Sequence, residues 1–462
     1  MRVLLLVYDN NSYIHCFPQG LAYIAAVLLK KGIYVEIYNQ DMHHFPDEHL
    51  TEFLNNNKFD VIGVSLIAGY YQYAKMLKIS EAINKSKNRP LYIIGGHGPS
   101  PEPEFFIKKT NADIVVIGEG ELTIVEVVDA IANHKTLKNI KGIAYRNDNK
   151  VVINERRPLI EDIDEIPFPA YDLFPVSYYR LLRMPHTTNE DFVMSVLSGR
   201  GCKFKCNFCY RMDKGFRPRS SENIIEEIQF LKLNYGVNYI DFSDELLMSS
   251  SNRTEILCKS FIKAKLNIKW DCNGRLNYAK PELLQLMKEA GCVFINYGIE
   301  AMDDKVLKNM NKALTTNQII KGINATLNSG ISPGFNIIFG NIGDNKETLK
   351  KGMDFLLKYD DGAQMRTIRP VTPYPGSPLY YYAIEKGLLK DCEDFYENKH
   401  KNSDLLSINF TDMTDNEFHK ALLEANTKLI QNYFNKKKYD VINQAKKLYL
   451  ENDTKFRGFR QS

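Results

Sequence analysis

The chain is 462 residues long, 44% hydrophobic and 25% charged, with a formal net charge of +4. That length accommodates two or three domains, and so even a charge balance calls for no nucleic-acid partner. The longest apolar runs, residues 3–8 and 21–29, are too short to cross a bilayer, and Met1-Arg2 leads into a strand-like segment rather than a signal peptide.

Residues 1–135 alternate strand and helix. Short apolar runs at 3–7, 34–38, 61–65, 91–95 and 114–118 are separated by helical stretches such as 20–31, which predicts a doubly wound parallel sheet. Such sheets bind ligands at the carboxyl ends of their strands. Three loops fall there: Ser65-Leu66-Ile67, Gly95-Gly96-His97-Gly98-Pro99-Ser100 and Gly118-Glu119-Gly120-Glu121. Their glycines let the backbone approach a ligand closely, and Ser65 offers a hydroxyl donor.

Residues 136–185 read as a linker. Runs at 143–146 and 150–153 flank Asn147-Asp148-Asn149, a hairpin turn by composition, and Pro167 and Pro169 then interrupt regular structure. Alternation resumes over 186–387. Strands are predicted at 192–197, 239–243, 268–272, 293–299, 335–339 and 365–370, with helices at 222–234, 281–290 and 347–359 among those between them. Six units predict a partial six-fold (β/α)6 barrel with its chemistry at the strands' carboxyl ends. Polar or glycine positions stand at those ends: Ser243-Asp244-Glu245, Asn273-Gly274-Arg275, Glu300 and Gly340. Residues 388–462 read as a polar helical segment, clearest at 417–433, with a basic end at Lys455, Arg457 and Arg460.

After the first barrel strand, Cys202, Cys206 and Cys209 follow the spacing C-x3-C-x2-C. Three thiolates on one tight loop suit an iron–sulfur cluster. A closed zinc site or an electron-transfer cluster takes four ligands, so three leave one iron open. Cys16, Cys258, Cys272, Cys292 and Cys392 are scattered without disulfide-framework spacing, as a reducing cytoplasm would allow.

The cysteine spacing, with Phe208 before the last cysteine, resembles the signature of the radical S-adenosylmethionine (SAM) enzymes. Further segments are similar to that superfamily's cobalamin-dependent class: Phe17-Pro18-Gln19-Gly20-Leu21-Ala22-Tyr23-Ile24-Ala25, Gly95-Gly96-His97, Gly118-Glu119-Gly120-Glu121 and Ile163-Asp164-Glu165-Ile166-Pro167-Phe168-Pro169-Ala170. So are Tyr297-Gly298-Ile299-Glu300, Met310-Asn311-Lys312 and Thr372-Pro373-Tyr374-Pro375-Gly376-Ser377-Pro378. The class reads G-L-P-G-E where this chain has Gly340-Asn341-Ile342-Gly343-Asp344, and its glycine pair is more often followed by proline and then histidine.

The resemblance implies a Rossmann-like cobalamin-binding domain, a radical SAM barrel and a 4Fe–4S cluster on Cys202, Cys206 and Cys209. It implies SAM contacts at Phe208, Ser243, Asp244, Glu245, Arg275, Glu300 and Gly340. Arg275 would grip the SAM carboxylate through two parallel hydrogen bonds, and Glu300 would accept from its ribose or ammonium. It implies cobalamin contacts at Gln19, Gly20, Ser65, Leu66, Gly95, Gly96, His97, Gly118, Glu119 and Gly120. The cobalt-ligating motif D-x-H-x-x-G is absent, as is usual in the class, so no protein ligand is expected below the cobalt.

The activity implied is methyl transfer to an unactivated carbon through a 5′-deoxyadenosyl radical and methylcobalamin, with SAM remethylating the cobalt. The partners implied are a small-molecule or peptide substrate and an electron donor such as flavodoxin or ferredoxin. Cyclisation or ring rearrangement on the same scaffold is the alternative. Methylthiotransferases for transfer RNA bring three cluster cysteines in their first domain, where this chain has only Cys16. A non-catalytic iron–sulfur sensor would leave the ordered polar strand ends unexplained.

Overall fold

The computed structural model describes residues 1–11, 16–148, 150–184, 186–212, 214–453 and 455. β1 (Arg2–Val7), β2 (Tyr34–Asn39), β3 (Val61–Ser65), β4 (Leu91–Gly95), β5 (Ile114–Val116), β6 (Ile143–Asn147) and β7 (Lys150–Ile153) form one sheet in the order β2-β1-β3-β4-β5-β6-β7. The first five strands pair in parallel. Such strands are covered on both faces, which is why β1 reads as an unbroken apolar run. Val3 and Leu5 join the core that includes the helix Gln19–Lys30, while Leu4 and Leu6 join the one that includes the helices Asp47–Asn56 and Tyr70–Lys85. Strand order reverses at β1, with β2 on one side and β3 on the other, so the loops leaving β1 and β3 part and open a crevice. The hairpin expected within the linker extends this sheet, because β6 and β7 add to β5 antiparallel. Asn149 of its turn lies outside the described residues.

The second sheet holds β8 (Val193–Val196) and, beyond the short antiparallel ribbon of β9 (Gly199–Arg200) and β10 (Arg217–Pro218), β11 (Tyr239–Phe242), β12 (Lys269–Gly274), β13 (Cys292–Glu300), β14 (Ser332–Phe339) and β15 (Arg369–Pro370). Its order is β15-β14-β13-β12-β11-β8, all parallel, the sequential order of a partial barrel. The helices between the strands carry local stop signals: Ser220 caps Ser221–Tyr235 at its start and Gly236 ends it in the left-handed conformation. Thus the predicted succession of doubly wound sheet, partial barrel and helical segment is the observed one.

Two elements differ from expectation. The sixth barrel strand, expected at 365–370, shrinks to β15, because Arg366 is drawn to Asp360, to Asp361 at 2.8 Å and to the Pro333 carbonyl at 2.9 Å. The final helix, expected at 417–433, runs Asp415–Leu450 from a Thr414/Glu417 capping box. It packs against the helix Lys346–Tyr359 and lies beside β15, where the Asn426 side chain accepts from the Ile368 N–H at 2.8 Å and donates to the Ile368 carbonyl at 2.9 Å. Arg457 and Arg460 lie outside the described residues. Among the described residues no helix is long and apolar enough to cross a membrane.

Candidate active site

The carboxyl ends of the first sheet meet the barrel around a cavity of about 370 Å³. Gln19, Gly20, Ser65, Gly95, Gly96, His97, Gly118, Glu119 and Gly120 line one side; Leu197, Arg200, Gly201, Ser243 and Glu245 line the other. Leu66 is the exception among the predicted contacts: it is 3% exposed and packs into the sheet's core, because its backbone bonds to Gly95 and Gly98 turn the side chain inward. Ile67 lines the cavity instead.

The cavity wall is shaped for close approach. A Cβ on Gly118 would meet nothing, and one on Gly20 would graze only the Ser65 hydroxyl, so any side chain there would fill cavity space. Gln19 bridges the two halves, accepting from Ser243 Oγ at 2.9 Å and donating to the Ser195 carbonyl at 3.4 Å. His97 is an exposed residue that lines the cavity, and partial desolvation of its ring lowers its pKa, which favours the neutral imidazole.

A buried ion cluster bolts the halves together. Glu119 accepts from Arg200 at 2.8 Å, from both Arg217 terminal nitrogens at 3.0 Å and from the Ile160 N–H at 2.8 Å. Arg200 also donates to Glu121 at 2.6 Å. Burial alone would raise the Glu119 carboxyl, but the Arg217 and Arg200 bonds outweigh it and hold it below the ordinary range. Both arginines sit on the β9–β10 ribbon, directly paired, and Cys202 follows Arg200 by two residues.

Cys206 is buried, Cys202 half-buried and Cys209 exposed. Burial, helped by Glu245, pushes the Cys202 thiol up, so a metal must draw off its proton. Two cations stand beside these sulfurs, Arg275 and Lys312, which suits an anionic thiolate cluster. Among the described residues no three His, Cys, Asp or Glu side chains converge on a single ion. Asn207 holds the loop from below: it exchanges amide hydrogen bonds with Asn341 at 3.1 and 3.0 Å and donates its N–H to the Met310 carbonyl at 2.9 Å.

The barrel's predicted contacts divide. Ser243 and Glu245 face the cavity. Glu300 pairs with Lys312 at 2.8 Å, both side chains 9% exposed. It sits at φ 69° in a register shift of β13, and a Cβ on Gly298 would collide with this pair, which explains the glycine. Arg275 lies 3.6 Å over the Phe204 ring and donates to the Lys312 carbonyl and to that of Ala313 at 3.0 Å. It therefore braces the cysteine loop, a job the sequence did not suggest. Asp244 is buried and turned away: its carboxylate takes the Ser198 N–H at 2.6 Å and the Ser198 hydroxyl. Gly340 has φ 98°, and a Cβ there would strike Phe418 of the last helix, so the glycine serves packing. Phe208 is half-buried and packs against the barrel core.

The radical SAM superfamily model matches residues 196–356, and the B12 binding domain model matches residues 6–128. An uncharacterized methyltransferase of Pyrococcus horikoshii is 30% identical over 400 residues, 84% of each chain. The chain belongs to the B12-binding radical SAM family. An anaerobic magnesium-protoporphyrin IX monomethyl ester cyclase of Rubrivivax gelatinosus is 26% identical over 82% of this chain and 68% of its own. Among solved structures, the radical SAM methyltransferase TsrM from Kitasatospora setae superposes with a TM-score of 0.69 at 17% identity, covering 83% of this chain and 78% of its own. The cobalamin-dependent enzyme OxsB superposes at 0.66 and 20% identity, covering 83% and 55%.

This radical SAM enzyme uses a 4Fe–4S cluster, SAM and cobalamin. The residues present fit them: three cysteines beside two cations for the cluster, and a glycine-walled cavity at the sheet's crevice for the corrinoid. Arg200, Arg217, Asn207 and Asn341 escaped sequence reasoning. Arg200 alone left a signal, a charge set between two glycines directly ahead of the cysteine motif.

Proposed function

We propose that the chain is a methyltransferase that methylates a poorly reactive carbon of a small molecule or peptide. One observation carries this: a single cavity is walled by the first sheet's glycine loops and by the barrel residues next to the cysteine loop. Groups held by the two halves would face each other across it. The Pyrococcus relative, called a methyltransferase, supports the same reading. When bound, the cluster supplies one-electron cleavage of SAM and cobalamin a transferable methyl group.

The chain's own contribution is placement. Gly20 and Gly118, where a side chain would fill cavity space, let a large flat group sit against the backbone beside the Ser65 hydroxyl, and Ser243 and Glu245 offer polar contacts across from it. Arg275 and Lys312 offset the charge of the thiolates. The Glu119 cluster closes the seam between the halves, which keeps water from a reactive radical. An electron donor such as flavodoxin or ferredoxin completes the cycle, in a reducing cytoplasm that suits eight unpaired cysteines.

The test is an anaerobic reaction of cluster-loaded, cobalamin-loaded protein with SAM carrying a labelled methyl group and a panel of candidate substrates. Labelled product alongside 5′-deoxyadenosine supports the proposal. A cyclised or rearranged product without label would instead favour the chemistry of the Rubrivivax relative.

A further inference from the structure

Arg275 and Lys312 flank the same cysteine sulfurs, but only one of them keeps its charge unmatched. Lys312 is paired with Glu300 at 2.8 Å, and beside Cys209 these two charges act in opposite directions. Arg275 is 5% exposed, and among the described residues no carboxylate pairs with it. Its guanidinium meets the Lys312 and Ala313 carbonyls and lies 3.6 Å over the Phe204 ring. Phe204 stands between Cys202 and Cys206, and the charges the guanidinium feels most are those of these two sulfurs. A buried cation without an anion is costly, so negative charge at the cysteines is what completes this arrangement. A 4Fe–4S cluster gains one further negative charge on reduction, and surrounding charge helps to set its potential. A lone buried cation favours that reduced form, whereas a matched ion pair leaves it nearly unaffected.

We infer that Arg275 sets the reduction potential of the cluster, its unmatched guanidinium charge stabilising the reduced state. The inference rests on a 4Fe–4S cluster being what Cys202, Cys206 and Cys209 hold. Arg275 makes no bond in this step: one electron enters from the donor protein, and the guanidinium acts only through its field. That action is separable from its bracing of the cysteine loop, because a lysine keeps the charge while losing part of the brace.

The full-length protein, carrying its reconstituted cluster but neither SAM nor cobalamin, is titrated anaerobically against redox mediators, with the reduced cluster read by electron paramagnetic resonance. At a fixed potential, Arg275→Gln should lower the ratio of reduced to oxidised cluster about tenfold, which for one electron is about 59 mV; Arg275→Met serves if Gln does not retain a cluster. Arg275→Lys should stay within about twofold of the wild type in the cluster it retains, since the charge remains. Glu300→Gln, which uncovers the Lys312 charge, should raise the ratio. Lys203 stands over the same Phe204 ring at 5.7 Å but is exposed, so Lys203→Gln should shift the ratio far less. An unchanged potential on neutralising Arg275 overturns the assignment, as does an Arg275→Lys or Lys203→Gln shift as large as that of Arg275→Gln. Failure of the wild-type protein to assemble a cluster would overturn the cluster reading, and this assignment with it.

Discussion

Glu119→Gln removes one negative charge from a buried group of four ions and leaves Arg200 and Arg217 facing a single carboxylate, Glu121. Glu119 receives four hydrogen bonds, three from guanidinium groups and one from the Ile160 N–H. A carboxamide retains one acceptor oxygen and turns an N–H toward a cation. Breaking a buried ion pair from one side costs about 3–5 kcal/mol, a large share of the roughly 5–15 kcal/mol that holds a protein folded. Because these bonds join the two halves, the loss should first loosen the seam. Urea unfolding followed by two probes, with solution scattering for overall size, separates seam opening from global unfolding.

The pH dependence gives an independent check. The Glu119 carboxyl is held below its ordinary 4.5, so its contribution is complete above that value and fades as pH falls through the lower, folded one. The variant should lack this acid-side loss. A Glu119→Gln protein destabilised by less than about 1 kcal/mol, the range of an exposed pair, and with an unchanged acid profile, would refute the reasoning.

Three further outcomes are expected. Cys202→Ala should fail to retain its cluster after anaerobic reconstitution, read as iron and sulfide content, because two thiolates hold it too weakly. Arg275→Ala should also lower iron content, since the guanidinium braces Phe204 and two carbonyls; Arg275→Lys should recover only part, and full iron with weakened SAM binding would return Arg275 to a purely SAM-holding role. His400 is fully buried with both ring nitrogens unpartnered, and burial pushes its pKa down to about 4. Its neutral form favours the fold, so that contribution holds above 6.5 and is lost as pH falls toward 4, by about 3 kcal/mol in all. His400→Phe, stacking on Phe395 in its place, should flatten the urea midpoint between pH 7 and 4.5.

The parts that could be read from sequence are those set by local pattern. Parallel strands buried on both faces announce themselves as apolar runs, and the cysteine loop by its spacing. What escaped joins residues far apart in the chain: Arg200 meets Glu119 across 81 positions, and Asn207 meets Asn341 across 134. No periodicity records such a meeting. The resemblance implies SAM contacts at Asp244 and Gly340, which stand at strand ends, yet the Asp244 carboxylate is held by Ser198 and Gly340 makes room for Phe418. Position at a strand end fixes where a residue stands, while the neighbouring side chain decides what remains free to bind. The final helix outran its predicted end because its core-facing residues, Phe418, Leu422, Ala425 and Leu429, stop well before the helix does.

Asn426 has a consequence for the barrel's open side. By exchanging both hydrogen bonds with Ile368, its carboxamide stands in for one residue of a neighbouring strand, although it is carried on a helix. A six-stranded parallel sheet that does not close must leave an outer strand with unpaired peptide groups, a template for another chain. Here that strand is two residues long and the helix Asp415–Leu450 lies beside it. Chain termination ahead of residue 415 would strip this cover and leave the peptide groups of that rim open to pairing with another chain.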